Sequence, residues 1–139
     1  MTDLPQDDEY ERRFAGVEKI YGEDAFRQYE HSHVMVIGIG GVGSWAVEAL
    51  ARTGIAELTL IDMDVIAASN INRQLPAMSS TLGREKVEVM AERCYSINPR
   101  IKINVVDDYL TPENVKELLA NVPDVVLSIV LMMSKRNSR

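Results

Sequence analysis

Residues that handle phosphate stand close together between positions 38 and 86. Gly38-Ile39-Gly40-Gly41-Val42-Gly43 has the spacing G-x-G-x-x-G. Placed directly after a strand and at the start of a helix, such a loop brings backbone up to an anion. Gly38 permits the tight turn, Gly40 removes the Cβ that would stand between backbone and phosphate, and Gly43 lets the helix pack closely on the strand. The helix N-terminus adds unpaired N–H groups and a partial positive charge. The plainer reading is that these glycines only make a turn. Asp62 counts against it, closing the next apolar run at the distance where an acid meets a ribose hydroxyl. The loop alone does not choose between NAD and ATP.

The following segment favours ATP. Asp62-Met63-Asp64 is followed by Ser69-Asn70-Ile71-Asn72-Arg73-Gln74, and then by Lys86. A dinucleotide has no need of a second acid, an Asn/Arg cluster and a lysine so close behind the ribose acid. A triphosphate has: Arg73 and Lys86 can neutralise oxygens as charge develops on them. Asp64 can serve Mg²⁺ or its bound water, because hard cations take oxygen ligands.

The elements that must position these residues follow from periodicity. Residues 1–9 read as a loose, acidic lead. Residues 10–31 read as short helices, with Phe14, Val17, Ile20 and Tyr21 at helical spacing and Gly22 as a break. His33 to Ile37 is a predicted buried strand. A helix runs from Val42 to about Thr53 and stops at Gly54. Leu58 to Ile61 is a second strand, and 63–83 a polar connection. Glu85 to Ile97 is helical, with Val87, Met90, Ala91 and Cys94 on one stripe. Ile101 to Val106 is a third strand. Thr111 to Asn121 is a helix with Thr111 as N-cap and Pro112 in its first turn, and Val125 to Val130 a last strand. Strands alternating with helices predict βαβ units on a parallel sheet, an α/β, Rossmann-like fold. The expected division is an N-terminal helical segment over 1–31, an ATP-binding domain over 32–127 and an aberrant tail over 128–139.

Taken in order, G-x-G-G-x-G-S, L-I-D-x-D, N-x-N-R-Q and G-x-x-K resemble the adenylation core of the E1-like ThiF/MoeB/HesA superfamily. Further stretches resemble its tRNA threonylcarbamoyladenosine dehydratase branch: Arg13-Phe14-Ala15-Gly16 with Ile20-Tyr21-Gly22-Glu23, Gly43 through Ile55, Met90-Ala91-Glu92-Arg93, and Ile97-Asn98-Pro99. The resemblance covers residues 12 to 127 and marks the chain as the front half of such an enzyme. It implies ATP and Mg²⁺ as cofactors, a tRNA substrate and a homodimer. It also implies a reaction in which the threonyl carboxylate of the modified adenosine at tRNA position 37 attacks the α-phosphate. Pyrophosphate leaves, and the carbamoyl group then displaces AMP to close a ring. On this resemblance Gly40 and Gly41 cradle phosphate, Asp62 holds ribose, and Asn72, Arg73 and Lys86 hold the triphosphate. Gln74 belongs to the same binding set, and Asp64 lies in the triphosphate–metal region. Arg73 and Lys86 are the expected catalytic pair; no residue is assigned as a protein metal ligand. Some relatives supply an arginine to the partner's site from an R-Y-x-R motif. Its second arginine falls here at Gly16, which leaves Arg13 as the nearest candidate.

The chain departs from that pattern after Leu127. Family members carry D-x-x-D there, with an acid that helps hold Mg²⁺; this chain reads Ser128-Ile129-Val130-Leu131-Met132-Met133 and ends at Arg139. Met132-Met133 read in a shifted frame must give GAT, an Asp codon, so a frame slip after Leu127 is the expected cause. Little or no turnover is the expected consequence.

The net charge of −6 argues against a general nucleic-acid coat or stable DNA binding. The single cysteine excludes an internal disulfide, and its place on an apolar stripe reads as packing. No apolar run is long enough for a membrane span, and a cytoplasmic location is expected. His31 and His33 have no ligand partners at metal spacing, Trp45 reads as packing more than as an adenine stack, and Asp107 and Asp108 read as loop acids. Lys135, Arg136 and Arg139 read as a solvated basic tail. Three alternatives stand beside the leading function: E1-like activation of a small sulfur carrier, NAD-dependent oxidoreduction, and a non-catalytic nucleotide-binding remnant.

Overall fold

The computed structural model describes residues 4–120 and 123–128. Strands β1 (His33–Ile37), β2 (Glu57–Ile61), β3 (Lys102–Val106) and β4 (Val125–Ser128) form one parallel sheet in the order β3-β2-β1-β4. Helices α1 (Leu4–Tyr21) and α2 (Glu23–Tyr29) precede it, and α3 (Gly43–Arg52), α4 (Lys86–Ile97) and α5 (Val115–Leu119) connect the strands. The strand order reverses between β1 and β4, which opens a crevice beyond their carboxyl ends.

β1 is buried along its whole length, as a strand covered on both faces must be. Alternation then divides its side chains. Val34 and Val36, with Leu58 and Leu60 of β2, face Val47 and Ala51 of α3 and Val87, Met90 and Cys94 of α4. Met35, Ile37 and Ile61 point the other way, against Val106, Leu110 and Leu118. The far ends of the strands are tied by polar side chains. His33 Nε2 lies 2.7 Å from Thr59 Oγ1, and Asn104 donates to both Thr59 and Glu57. His33 is therefore structural and buried, while His31 is exposed.

α1 and α2 dock through Tyr10, Phe14 and Phe26. Tyr10 donates to Gly54 O at 2.8 Å. Gly54 ends α3 with φ +85, and a Cβ there would stand 3.0 Å from Tyr10 Oη and 3.3 Å from Phe14. Both backbone and packing require glycine at that position.

Several expectations need correction. α1 begins at Leu4, so most of the lead read as loose is helical; an i,i+4 pair, Arg13 with Glu9 at 3.5 Å, belongs to that helix. The helix expected over 111–121 is only Val115–Leu119. Thr111 and Asn114 exchange side chain–backbone bonds of 2.7 and 3.2 Å, which hold a turn ahead of it. Ile101 lies outside β3. Residues 129–139, including Met132, Met133, Lys135, Arg136 and Arg139, lie outside the described residues, as do 121 and 122.

Candidate functional site

The carboxyl ends of β1 and β2 carry the site. Gly38 leaves β1 with φ +94, a conformation open to glycine and costly for other residues. Its N–H bonds Ile61 O at 2.9 Å, so the loop starts against the end of β2. Asp62 then braces the turn: Oδ2 accepts the Ile39 N–H at 2.7 Å and Oδ1 the Asp64 N–H at 2.8 Å. The first helical bond of α3 is Ser44 N–H to Gly40 O at 3.1 Å. The N–H groups ahead of it have no partner within the helix and stand at its positive end.

Gly40 and Gly41 do not have positive φ. A Cβ on Gly40 would come no closer than 3.8 Å to another atom, the Gln74 amide nitrogen, and one on Gly41 would lie 3.5 Å from the Arg73 stem. Neither turn geometry nor internal packing demands glycine at 40. What a side chain there would obstruct is the space in front of the loop.

That space is a cavity of about 590 Å³ lined by Gly38, Gly40, Gly41, Val42, Asp62, Asp64, Asn70, Arg73, Gln74 and Lys86. Lys86 is 5 % exposed, and its only ion pair among the described residues is Asp64 Oδ2 at 3.8 Å. Lysine is almost never buried unless paired, and this one has a single, long pair and opens on the cavity. Arg73 reaches the cavity from the exposed crossover, where Nη1 donates to Ser69 O at 3.1 Å and Asn72 Oδ1 at 3.0 Å. Gln74 is buried with its Oε1 unpartnered, an arrangement that calls for a donor from a ligand or water.

A second cavity of about 240 Å³ adjoins the first and shares Gly38, Asp62 and Asp64 with it. Its walls include Ile37, Ile61, Met63, Tyr109 and Leu110, with Asp108 and Ser128 at the edge. A charged chamber and a mostly apolar slot thus meet at the Asp62 carboxylate. Elsewhere, the Glu85 carboxyl is raised above its usual range, first by a hydrogen bond in which its protonated form donates to Asp107 and then by the like charge of that carboxylate.

Most of the residues singled out from sequence meet here. Gly43 does not line the cavity but is buried in the first turn of α3. Asn72 touches Arg73 instead, and Asn70, whose Oδ1 caps the Ala67 N–H at 2.8 Å, lines the wall. Arg13 is elsewhere, donating to Ile97 O at 3.2 Å beside a different cavity with Arg52 and Arg93. Trp45, expected to pack, is 53 % exposed, and its indole N–H bonds Arg73 O at 3.0 Å. Sequence reasoning passed over Asn70 as a lining residue, and also Ser44 and Tyr109; only the serine that closes the glycine motif offered a signal. Among the described residues no group of three His, Cys, Asp or Glu could hold a metal ion.

The model of the ThiF family matches residues 10–132. A tRNA threonylcarbamoyladenosine dehydratase of Haemophilus influenzae is 52% identical over 130 residues, 94% of this chain and 50% of that protein. The Escherichia coli protein of the same name is 50% identical over 81% of this chain and 42% of its own length. A crystal structure of the E. coli dehydratase, TcdA, in complex with ATP superposes with a TM-score of 0.87 at 47% identity, covering 88% of this chain and 51% of that one. The chain thus spans about half the length of the curated relatives it matches.

Proposed function

We propose, from the premise that this chain belongs to the ThiF family, that it is the ATP-binding half of an enzyme that adenylates the threonyl carboxylate of N6-threonylcarbamoyladenosine at position 37 of tRNA. The observation that carries the proposal is the buried Lys86, lining one chamber with Gly40, Gly41 and Arg73 and paired among the described residues only with the exposed Asp64 carboxylate at 3.8 Å. Names of relatives support the substrate, and the ATP complex of TcdA supports the nucleotide.

In this reading the nucleobase enters the slot lined by Ile37, Ile61 and Tyr109, and the ribose meets Asp62. The phosphates lie along Gly40 and Gly41, toward Lys86 and Arg73. A carboxylate oxygen of the substrate attacks the α-phosphorus and the bond to pyrophosphate breaks, giving an acyl-adenylate. A carbamoyl nucleophile then attacks the acyl carbon, AMP leaves, and the net result is loss of water coupled to cleavage of ATP. Lys86 and Arg73 act on the first step by neutralising charge as it gathers on the phosphate oxygens. Asp62, held by two backbone N–H groups, orients the sugar instead of moving a proton.

The residues present fit Mg²⁺ as an ion carried by the nucleotide. Asp64 is 63 % exposed on its side chain and offers one carboxylate at the chamber, and Mg²⁺ commonly takes one or two carboxylates beside phosphates and water. There it would supply further charge neutralisation. A homodimer is part of the same proposal. No described helix is long and apolar enough to cross a membrane.

The test is calorimetric titration with ATP and with NAD, followed by pyrophosphate exchange in the presence of the modified tRNA. ATP is expected to bind and to exclude NAD, with exchange weak in this half-length chain and dependent on the threonylcarbamoyl group. NAD binding that ATP does not compete would overturn the proposal. Exchange stimulated by a small carrier protein with a free C-terminal carboxylate, and not by tRNA, would replace the substrate.

A further inference from the structure

The phosphate chamber has two walls from separate parts of the chain: the glycine loop, and the segment Arg73-Gln74-Leu75. The second wall turns its own hydrogen bonds inward, with the Arg73 and Gln74 N–H groups both bonding Asn70 O at 3.2 and 2.9 Å. Two side chains at the start of α3 cross the gap. Ser44 is fully buried; its hydroxyl donates to Gly40 O at 2.5 Å and accepts the Leu75 N–H at 3.2 Å. Trp45, next to it, donates its indole N–H to Arg73 O at 3.0 Å. The aliphatic stem of Arg73 lies along Gly41 between these ties.

We propose that Ser44, supported by Trp45, is the positioning residue that fixes the width of the phosphate chamber by tying the glycine loop to the arginine-bearing segment. The inference rests on the nucleotide reading above and adds to it a residue that touches no ligand. One hydroxyl serves both walls because it can donate to a carbonyl on one side while accepting from an amide on the other. Alanine at 44 leaves the half-buried Gly40 carbonyl without its side-chain donor and the Leu75 amide without its acceptor. The walls are then free to separate, and a ligand that needs both suffers, whereas one held only at Asp62 and the apolar slot does not.

The experiment compares ATP with adenosine on the full chain by calorimetry. Ser44→Ala is expected to weaken ATP binding about tenfold while adenosine changes less than about twofold. Trp45→Phe, which keeps an exposed ring but removes the N–H, should weaken ATP by a smaller factor in the same phosphate-selective way. On an Arg73→Ala background, Ser44→Ala should add little, because both changes act through one contact. Equal losses for ATP and adenosine, or full additivity with Arg73→Ala, would show ordinary structural damage and overturn the inference. If Ser44→Ala does not fold, Trp45→Phe decides by the same comparison, since its ring is exposed. A wild-type chain that binds no ATP removes the nucleotide reading itself, an outcome distinct from a wild type that binds and a Ser44→Ala variant that binds equally well.

Discussion

Lys86 and Gly40 oppose each other energetically. The lysine is buried with a counter-ion at 3.8 Å, which costs stability until an anion arrives. The glycine carries no such cost, because the nearest atom to a Cβ at 40 would be 3.8 Å away and its φ is not positive. Gly40→Ala is therefore expected to change folding stability by less than about 1 kcal/mol while weakening ATP binding at least about tenfold. Urea denaturation and calorimetry on the same preparation check this. A variant that unfolds early yet binds ATP normally would mean that the glycine serves the turn and not the ligand.

Helix α3 is the element on which the site depends. Its first turn holds the loop and crossover, and its last turn is anchored by Gly54 beneath Tyr10. Between them Glu48, only 12 % exposed on its side chain, pairs with Arg93 of α4 at 2.6 Å and with Arg52 at 2.8 Å. The hydrogen bond from Arg93, and then that from Arg52, hold the Glu48 carboxyl below its usual 4.5. A depressed folded value means stability that is present above the unfolded value and lost as pH falls through the folded one. Both arginines are more than a third exposed, which screens the interaction. Glu48→Gln is expected to cost about 1 kcal/mol at about pH 7, with the difference shrinking as the pH falls below the usual carboxylate range. Denaturation across that fall in pH checks it, and a difference independent of pH would exclude an ionic origin.

Elements also show how far the sequence could be read. The buried strands and α4 were legible because their apolar residues keep the period of the element, as in β1 and in Val87, Met90 and Cys94. The start of α1 was not, because charged residues mask a helix that is fastened elsewhere, by Tyr10, Phe14 and Phe26. The end of the chain gave a helix longer than the one found, since the Thr111–Asn114 side-chain bonds hold a turn where the pattern continues helical. At the site, residue types pointed to the glycine loop, Asp62 and Lys86. Choosing Asn70 over Asn72 for the wall depends on which way a single-turn helix at Ala68–Asn70 faces, and Ser44's role depends on a segment 31 positions away. Linear spacing contains neither.

For the whole molecule, a ligand that binds only the folded chain is expected to suppress opening of the core. Cys94 is fully buried in the main core, and burial first, with Glu48 second, pushes its thiol up to about 12. The folded chain is expected to resist a thiol reagent at about pH 8, so that labelling reports opening of the core. ATP at about 100 times its dissociation constant should then slow labelling about a hundredfold. Rapid labelling of the native chain, indifferent to ATP, would contradict both the packing of α4 and the site it supports.

The β3-β2-β1-β4 order also sets a sequence of events in time. Residues of the charged chamber all lie between Gly38 and Lys86, so a growing chain holds them early. The apolar slot needs Asp108, Tyr109, Leu110 and Ser128, and one edge of β1 waits for β4, whose approach is marked by Asp124 bonding His33 across 91 positions. Contacts so distant along the chain form slowly, and synthesis delivers the N-terminal part first. On the proposed reading, the grip on phosphate is thus assembled before the seat for the base. A chain caught midway would already hold the groups that attract triphosphates, while the wall against which a nucleobase rests would still be unbuilt.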